Sequence, residues 1–503
     1  MFFSFFTDFF CLLPELFFAI AILFVLIYGS FVSNLKNIYV NKTFVLRESF
    51  FCVSVFLFFC VLLLNINNPC LYSYLFFDTL VFDTFSFYFK IIIISITLIC
   101  IIFFKKGTFT LIFNSFEFFI LLQLAVFGTL LILNSNDFLS FYLALELQSL
   151  SFYSLGCFNR QSAFSVEASL KYFILGAFAS GFFLFGASLV YGATGTTNFL
   201  LLSDFFSLGF TTYNFYCLIV GLIFMLIGIL FKLSVAPFHY WAVDVYEGVP
   251  SFLTLFFLVL PKLGFFSVLI KICFISFYSY MPFLGCFLGF AGIVSLVVGS
   301  FNALFQKKLK RFFLYSSISH IGFLLSGLCL GSFEGVVSFC FYIQIYFLIT
   351  ILCWAFFIVL EKNSGIQPKY FEDLENLLFE NKPLALTIGV VFFSFAGIPP
   401  LAGFFSKFFI FFSVVDSHFW LLALVLIVIS TVSCFYYLRF IKVIFFKPKK
   451  KTSFFQINSH TNSILTKPES LLFSCGLVVI LYLSANAHIF YFFSYKLSLH
   501  FLS

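Results

Sequence analysis

Charge is what this sequence has least of: Lys, Arg, Asp and Glu make up 9% of its 503 residues, against 63% hydrophobic residues. Its mean hydropathy is +1.14. A soluble domain has too little interior to hide that much apolar surface, so the composition excludes a water-soluble fold and points to a membrane protein. No Lys or Arg precedes Lys36, so the start lacks the basic region of a signal peptide and the Arg/Ser-rich pattern of a transit peptide. The expectation is a chain inserted where it is made. The 14 Cys stand singly, with no C-x-x-C pair and no Cys/His cluster. That argues against a disulfide framework, a zinc site or an iron–sulfur cluster, and the cysteines read as small buried hydrophobes. No G-x-G-x-x-G follows a strand and no four-histidine haem pattern occurs, so no NADH, flavin or metal site is expected. Met and Trp supply three residues each while Phe supplies 92. This excess reads as A+T-rich codon use placing Phe at lipid-facing positions. The formal net charge of +7 is not a nucleic-acid footprint, because the Lys and Arg sit in short loops between apolar runs.

At about 20 residues per helix, the apolar runs give roughly fourteen spans. They lie near 9–31, 43–65, 84–104, 115–134, 137–157, 166–191, 214–240, 251–273, 282–303, 311–330, 334–360, 384–414, 418–445 and 468–490. Loops after odd-numbered spans hold the basic residues: Lys36, Lys42 and Arg47, then Lys105 and Lys106, Arg160, Lys307 to Arg311, Lys362, Lys369 and Lys382, and Lys447 to Lys451. Loops after even-numbered spans have almost none. By the positive-inside rule the odd loops face the cytoplasm or matrix and both termini face the opposite side. The loop at "VDVYEGVP" is the exception, carrying only Asp244 and Glu247. In "KYFEDLENLLFE", Phe371, Leu374, Leu377 and Leu378 recur at helical spacing, which predicts an interfacial amphipathic helix.

Each charge at mid-bilayer costs about 2.5–3.5 kcal/mol on insertion scales, so the few such residues are informative. Glu146 lies in the fifth span, Lys232 in the seventh, Lys262 in the eighth, His320 in the tenth and Lys407 in the twelfth. Glu15, Lys90, Glu117 and Lys271 lie nearer span ends, placed to snorkel or to join helices. Prolines accompany three of the lysines. Pro237 frees the carbonyl of Leu233, Pro261 that of Phe257, and Pro399 with Pro400 those of Phe395 and Ala396. Irregular backbone at membrane depth survives where it is enclosed by protein or lines a wet cavity. Broken helices in matching places of two halves point to an ion path built on inverted repeats. The "GILFKLSVAPFHYW" stretch, with Lys232, Pro237 and His239, therefore reads as part of a proton-conducting element. A desolvated lysine loses and regains a proton near neutral pH, and a nearby carboxylate such as Glu146 holds its charged form. Histidine titrates in range. A solute carrier would need more intramembrane Asn, Gln or Asp than this chain has.

The stretches "LALELQSLSFYSLGCFNRQSAF", "KLSVAPFHYWAVDVYEGVP", "KLKRFFLYSSISHIGFL" and "FAGIPPLAGFFSKF" resemble, in order, those of an antiporter-like membrane subunit family of respiratory complex I, the subunit 2 or subunit N type. The likeness runs from about residue 110 to 445 and is weaker but in register at "LLPELFF". It implies an all-α fold of about fourteen transmembrane helices. In that fold, 1–108 is a three-helix segment, 109–275 and 276–446 are two inverted five-helix repeats (helices 4–8 and 9–13), and 447–503 is a loop and last helix. Helices 7 and 12 would be discontinuous, with Pro237, Pro261, Pro399 and Pro400 at the breaks. The resemblance implies proton transfer through Glu146, Lys232, Lys262, His320 and Lys407, with Glu146 paired to Lys232 and Lys407 on the exit side. His239, Lys271 and Glu117 are secondary candidates. The sequence departs from the family's usual proline at Val243 and Phe252. NADH, FMN, iron–sulfur clusters and ubiquinone belong to the rest of such a complex. The implied partners are other membrane-arm subunits, including antiporter-like neighbours, and structural phospholipids, with no nucleic acid. The first three helices, absent from shortened animal versions, imply a plant, algal or protist mitochondrial inner membrane, with a bacterial or chloroplast membrane as the runner-up. A stand-alone cation/proton antiporter of the same fold is the alternative.

Overall fold

The computed structural model describes residues 2–35, 43–68, 73–104, 115–207, 212–364, 368–375, 377–380 and 382–446. Apolar helices open the chain: the short α1 (Phe2–Cys11), then the span-length α2 (Leu13–Leu35) and α3 (Thr43–Ile66). A small antiparallel hairpin follows, β1 (Ser73–Leu75) with β2 (Leu80–Phe82), the only sheet among the described residues of an otherwise helical chain. Then come α4 (Thr84–Phe104), α5 (Phe116–Asn134), α6 (Phe138–Gly156), α7 (Ala163–Thr194) and α8 (Phe199–Ser207). The seventh span divides into α9 (Thr212–Lys232) and α10 (Tyr240–Gly248). After it run α11 (Ser251–Ile270), α12 (Met281–Phe305), α13 (Leu309–Leu328) and α14 (Phe333–Ser364). The twelfth span divides into α16 (Lys382–Ala396) and α17 (Ala402–Asp416), preceded by α15 (Leu377–Glu380) and followed by α18 (Trp420–Phe446). Each of the first thirteen expected spans falls on a helix or a helix pair, and the fourteenth lies outside the described residues. Nine helices among the described residues are long and apolar enough to cross a membrane. Helices dominate because a chain in lipid must satisfy its backbone polar groups within each span.

Small residues set the closest crossings. A Cβ added at Gly128 would lie 2.8 Å from the backbone nitrogen of Gln148, joining α5 to α6, and one at Gly299 would lie 2.6 Å from that of Ser319, joining α12 to α13. Such contacts replace the hydrophobic drive that lipid cannot supply. The centre is α11, whose whole length is buried, as is the π-helical turn Lys271–Ser276 after it except for the partly buried Ile275. Phenylalanine is not confined to the lipid face. Phe24 and Phe178 point outward, but Phe118, Phe141 and Phe152 are core residues, and the Phe392 ring packs at a tilt 4.1 Å from the centre of Phe440. Cysteine is also mixed: Cys52, Cys217 and Cys286 are exposed, and Cys11 is disulfide-bonded, contrary to expectation.

The acidic exception at "VDVYEGVP" has a local cause. Asp244 pairs with Lys171 of α7 at 3.1 Å, and Glu247 binds Lys308 and Arg311 at the start of α13, so the acids of α10 are matched by bases of neighbouring elements at the same end. Burial alone would raise the Glu247 carboxyl, but Lys308 and Arg311 outweigh it and hold the group below its ordinary range. The predicted amphipathic helix is instead a 3₁₀ turn, Phe371–Leu374, and the four-residue α15. Leu374 and Leu377 are buried against protein, with α18 beside both elements, so the apolar face covers neighbouring helices rather than lipid.

Candidate functional site

α9 stops at Lys232 because Pro237 has no N–H with which to continue the ladder. The chain turns at Ser234, whose φ is +59°. The Leu233 carbonyl, freed by the proline, accepts from Ser234 Oγ at 2.6 Å, and Trp241 Nε1 donates to the Phe231 carbonyl at 3.0 Å. Lys232 is buried, and its Nζ donates to Tyr153 Oη at 2.9 Å. Glu146, expected in direct or one-water contact with Lys232, makes no ion pair with it. The half-buried Glu146 carboxylate accepts from Ser149 Oγ at 3.3 Å and meets the Tyr142 hydroxyl. Glu146, Ser149 and Tyr153 stand at i, i+3 and i+7 of α6, on one face. Ser149 also lies beside the Tyr153 hydroxyl. Carboxylate and ammonium are thus linked through two hydroxyls, each with a rotatable proton. His239 is buried, neither ring nitrogen makes a well-aligned hydrogen bond, and the Pro237 carbonyl is its polar neighbour.

Pro261 does not break its helix, contrary to expectation: α11 runs through it from Ser251 to Ile270. The carbonyl it frees, Phe257 O, accepts from Tyr246 Oη of α10 at 3.4 Å, so the gap is filled from a neighbouring element. Lys262 is 1% exposed and its Nζ reaches Ser317 Oγ of α13 at 3.4 Å. One turn beyond Ser317, His320 is held between two tyrosines, Nδ1 at 2.6 Å from Tyr342 Oη and Nε2 at 3.1 Å from Tyr437 Oη. His320 lies within electrostatic reach of both Lys262 and Lys407.

At the twelfth span the two prolines end α16, and Gly397 takes φ +82°, a conformation costly for any residue with a Cβ. The two carbonyls that Pro399 and Pro400 leave without an N–H, Phe395 O and Ala396 O, each accept from Lys407 Nζ at 2.9 Å, and Ser433 Oγ of α18 lies at 3.1 Å. The lysine of α17 thus caps the broken helix before it. A Cβ at Gly403 would come within 1.7 Å of the Ser394 carbonyl oxygen. Gly403→Ala should therefore push α17 off α16, opening the Lys407 clamp and costing about 1–3 kcal/mol. Lower thermal stability of the assembled membrane protein, checked by a melting scan in detergent, is the expected outcome; an unchanged melting temperature would refute the close approach.

Two secondary candidates lie elsewhere. Lys271 does not snorkel: it is 1% exposed and donates to the carbonyls of Leu133 and Ser135 at 2.6 and 3.0 Å, capping the end of α5. Lys90 and Glu15, also placed near span ends, form a buried pair at 2.5 Å joining α4 to α2. Glu117 is exposed in the first turn of α5. Among the described residues no group of three or more His, Cys, Asp or Glu is placed to hold a metal.

A family model described as "NADH:quinone oxidoreductase/Mrp antiporter, TM" matches residues 135–433, the stretch holding every residue of the site from Glu146 to Lys407. The chain belongs to this family. It is 37% identical over 466 residues to the NADH-ubiquinone oxidoreductase chain 2 of Marchantia polymorpha, covering 91% of this chain and 93% of that one. Against the NADH-quinone oxidoreductase subunit N of Pelagibacter ubique it is 37% identical over 455 residues, covering 88% and 90%. A chain in the structure of respiratory complex I from Thermus thermophilus with bound aureothin superposes with a TM-score of 0.72 at 25% identity, covering 94% of this chain and 96% of that one.

Reading the sequence for charges alone misses the groups that hold them: Tyr153, Ser149, Ser317, Tyr342, Tyr437 and Ser433. A signal existed for some. Ser149 and Tyr153 follow Glu146 at helical spacing, and Ser317 precedes His320 by three residues. Hydroxyls on the same helix face as a buried charge are natural candidates for its solvation.

Proposed function

We propose that this chain is a proton-translocating membrane-arm subunit of respiratory complex I, carrying no redox centre of its own. The observation that carries the reading is the treatment of the buried cations. Lys232, Lys262 and Lys407 are held by hydroxyls and freed carbonyls, with no carboxylate in ion-pair contact among the described residues. A neutral cage leaves an ammonium free to give up its proton without stranding a buried anion, whereas a structural salt bridge locks the charge. Glu146 would bias Lys232 at one remove, through Ser149 and Tyr153. His320, with a tyrosine hydroxyl on each nitrogen, would pass a proton between the Lys262 side and the Lys407 side by exchanging tautomers.

The proposed setting is a mitochondrial inner membrane, with the basic loops on the matrix side. NADH, FMN, iron–sulfur clusters and ubiquinone would belong to the other subunits, and the partners would be other membrane-arm subunits and phospholipids. Extended likeness to complex I subunits over about nine-tenths of both chains favours this over a stand-alone antiporter. Two inverted repeats, 109–275 and 276–446, are the proposed internal organisation, supported by the broken seventh and twelfth spans.

Glu146→Gln in the assembled complex tests the reading. Removing a proton-transfer group slows its step by 10²–10⁴-fold, but the half-buried site lets water substitute in part, so coupled turnover should fall about tenfold. The subunit should still assemble. NADH oxidation and membrane potential are measured together in sealed vesicles, and unchanged pumping per NADH at an unchanged rate would overturn the role.

A further inference from the structure

We propose that Glu361, with Ser251 and Lys310, forms the proton-uptake site at the basic end of the molecule and supplies Lys262. This rests on the proton-translocating reading above and adds the place where protons enter this chain. A cavity of about 490 Å³ opens at that end, lined by Lys171, Asp244, Glu247, Lys308, Arg311 and Lys310 among others. Lys310 and Pro368 also line a second, smaller cavity of about 20 Å³, which touches Ser251 and Glu361. A space of that size holds one water. The two cavities therefore share a wall, and a carboxyl group stands behind it.

Glu361 is 3% exposed, near the end of α14. Ser251 Oγ donates to its Oε2. Lys310 Nζ is anchored on the Val249 carbonyl at 2.7 Å and lies within electrostatic reach of Glu361. A carboxylate in protein interior is expensive, and this one stands beside a wet, ion-lined vestibule rather than deep in the bundle. Ser251 is the first residue of α11, the helix that carries Lys262 eleven residues further on, about 16 Å along its axis. Hydroxyls lie along the Lys262 end of this stretch. Tyr246 Oη lies on the Phe257 carbonyl, Tyr346 of α14 is close to both Tyr246 and Ser317, and Ser317 meets Lys262.

The transfer balances without any other reactant. A hydronium in the outer cavity gives its proton to the Glu361 carboxylate and leaves as water. The neutral acid then donates inward, each hydroxyl accepting one proton and releasing another, until a neutral Lys262 amine becomes an ammonium and Glu361 is again a carboxylate. A charged Lys310 beside Glu361 favours return to the carboxylate.

Glu361→Gln keeps the volume and the acceptor for Ser251 but cannot exchange a proton. In the intact complex it should lower the initial oxonol response per NADH, and the coupled rate, about tenfold. Electron transfer to a water-soluble acceptor should be unchanged. Glu361→Asp, which restores an exchangeable carboxyl, should recover part of the coupled rate, which it would not do for a packing defect. Unchanged coupling in Glu361→Gln, or no recovery in Glu361→Asp, would overturn the proposal. If Glu361→Gln fails to accumulate, Ser251→Ala decides instead: it removes only the hydroxyl, and full coupling in that variant would overturn the proposal. Glu146→Gln is measured alongside. If Glu146→Gln impairs coupling while Glu361→Gln does not, the uptake site fails alone; if both are silent, the proton-translocating reading fails.

Discussion

Lys262→Met should lower coupled proton translocation about a hundredfold, to the level of leak, while the subunit accumulates as well as the parent or better. The size follows from the enclosure of the site. Lys262 is 1% exposed in a helix with no lipid or water face, so no bulk water substitutes for a missing proton carrier, and the lower end of the general acid–base range applies in full. The direction of the abundance change follows from its surroundings. A buried ammonium without an ion partner carries a desolvation cost of several kcal/mol, of which a single hydroxyl at 3.4 Å recovers little. Methionine matches the length of the side chain and removes that cost. A lysine kept for structure would give the reverse, with activity and abundance falling together. Quantifying the subunit in membranes beside oxonol traces separates the two, and parallel loss of both would refute the functional assignment.

Lys90→Met should do the opposite, depleting the subunit before any effect on coupling can be read. Lys90 and Glu15 are 1% and 3% exposed, and Asn134 Nδ2 donates to the same Glu15 oxygen at 3.1 Å. The ammonium also lies 3.6 Å from the centre of the Phe82 ring. Deleting one partner of such a pair leaves an uncompensated charge inside the protein and costs about 3–5 kcal/mol. Removing both charges should cost far less, so Glu15→Leu combined with Lys90→Met should restore abundance. Native gels of solubilised membranes measure this directly. A single variant as abundant as the parent, or a double variant no better than the single, would show that the pair does not hold α2 to α4.

These contrasts mark what local sequence could and could not say. The consequence of a proline is local, because the missing N–H and the carbonyl it frees are fixed by position. That is why Phe395 O and Ala396 O were recognisable in advance as groups in need of donors, and Lys407 supplies them. Whether a freed carbonyl ends a helix is not local. Phe257 O is served by Tyr246, so Pro261 sits inside an unbroken α11. The link from Glu146 to Lys232 was legible as two opposite charges on nearby spans, but the interposed Tyr153 depends on how α6 docks against its neighbours. For Lys271, Lys90 and Glu15 the sequence left two outcomes, snorkelling or joining helices, and the structure shows the second. Distance from a span end predicts access to water only where nothing packs over that end, and here neighbouring helices cover them.

The burial of α11 also sets a timetable. This helix packs against α4, α5, α9 and α14, and α14 ends at Ser364, 94 residues after Ile270. At a synthesis rate of about 5–20 residues per second, the wall formed by α14 arrives roughly 5–20 s after α11 has left the ribosome. Through that interval one side of α11 faces lipid or the insertion machinery, with a lysine at its centre. Its apolar character, which serves no lipid contact in the finished molecule, is what lets it wait there. A chain terminated before residue 333 would leave that side open permanently, so quality control has reason to destroy nascent subunits stalled in this window.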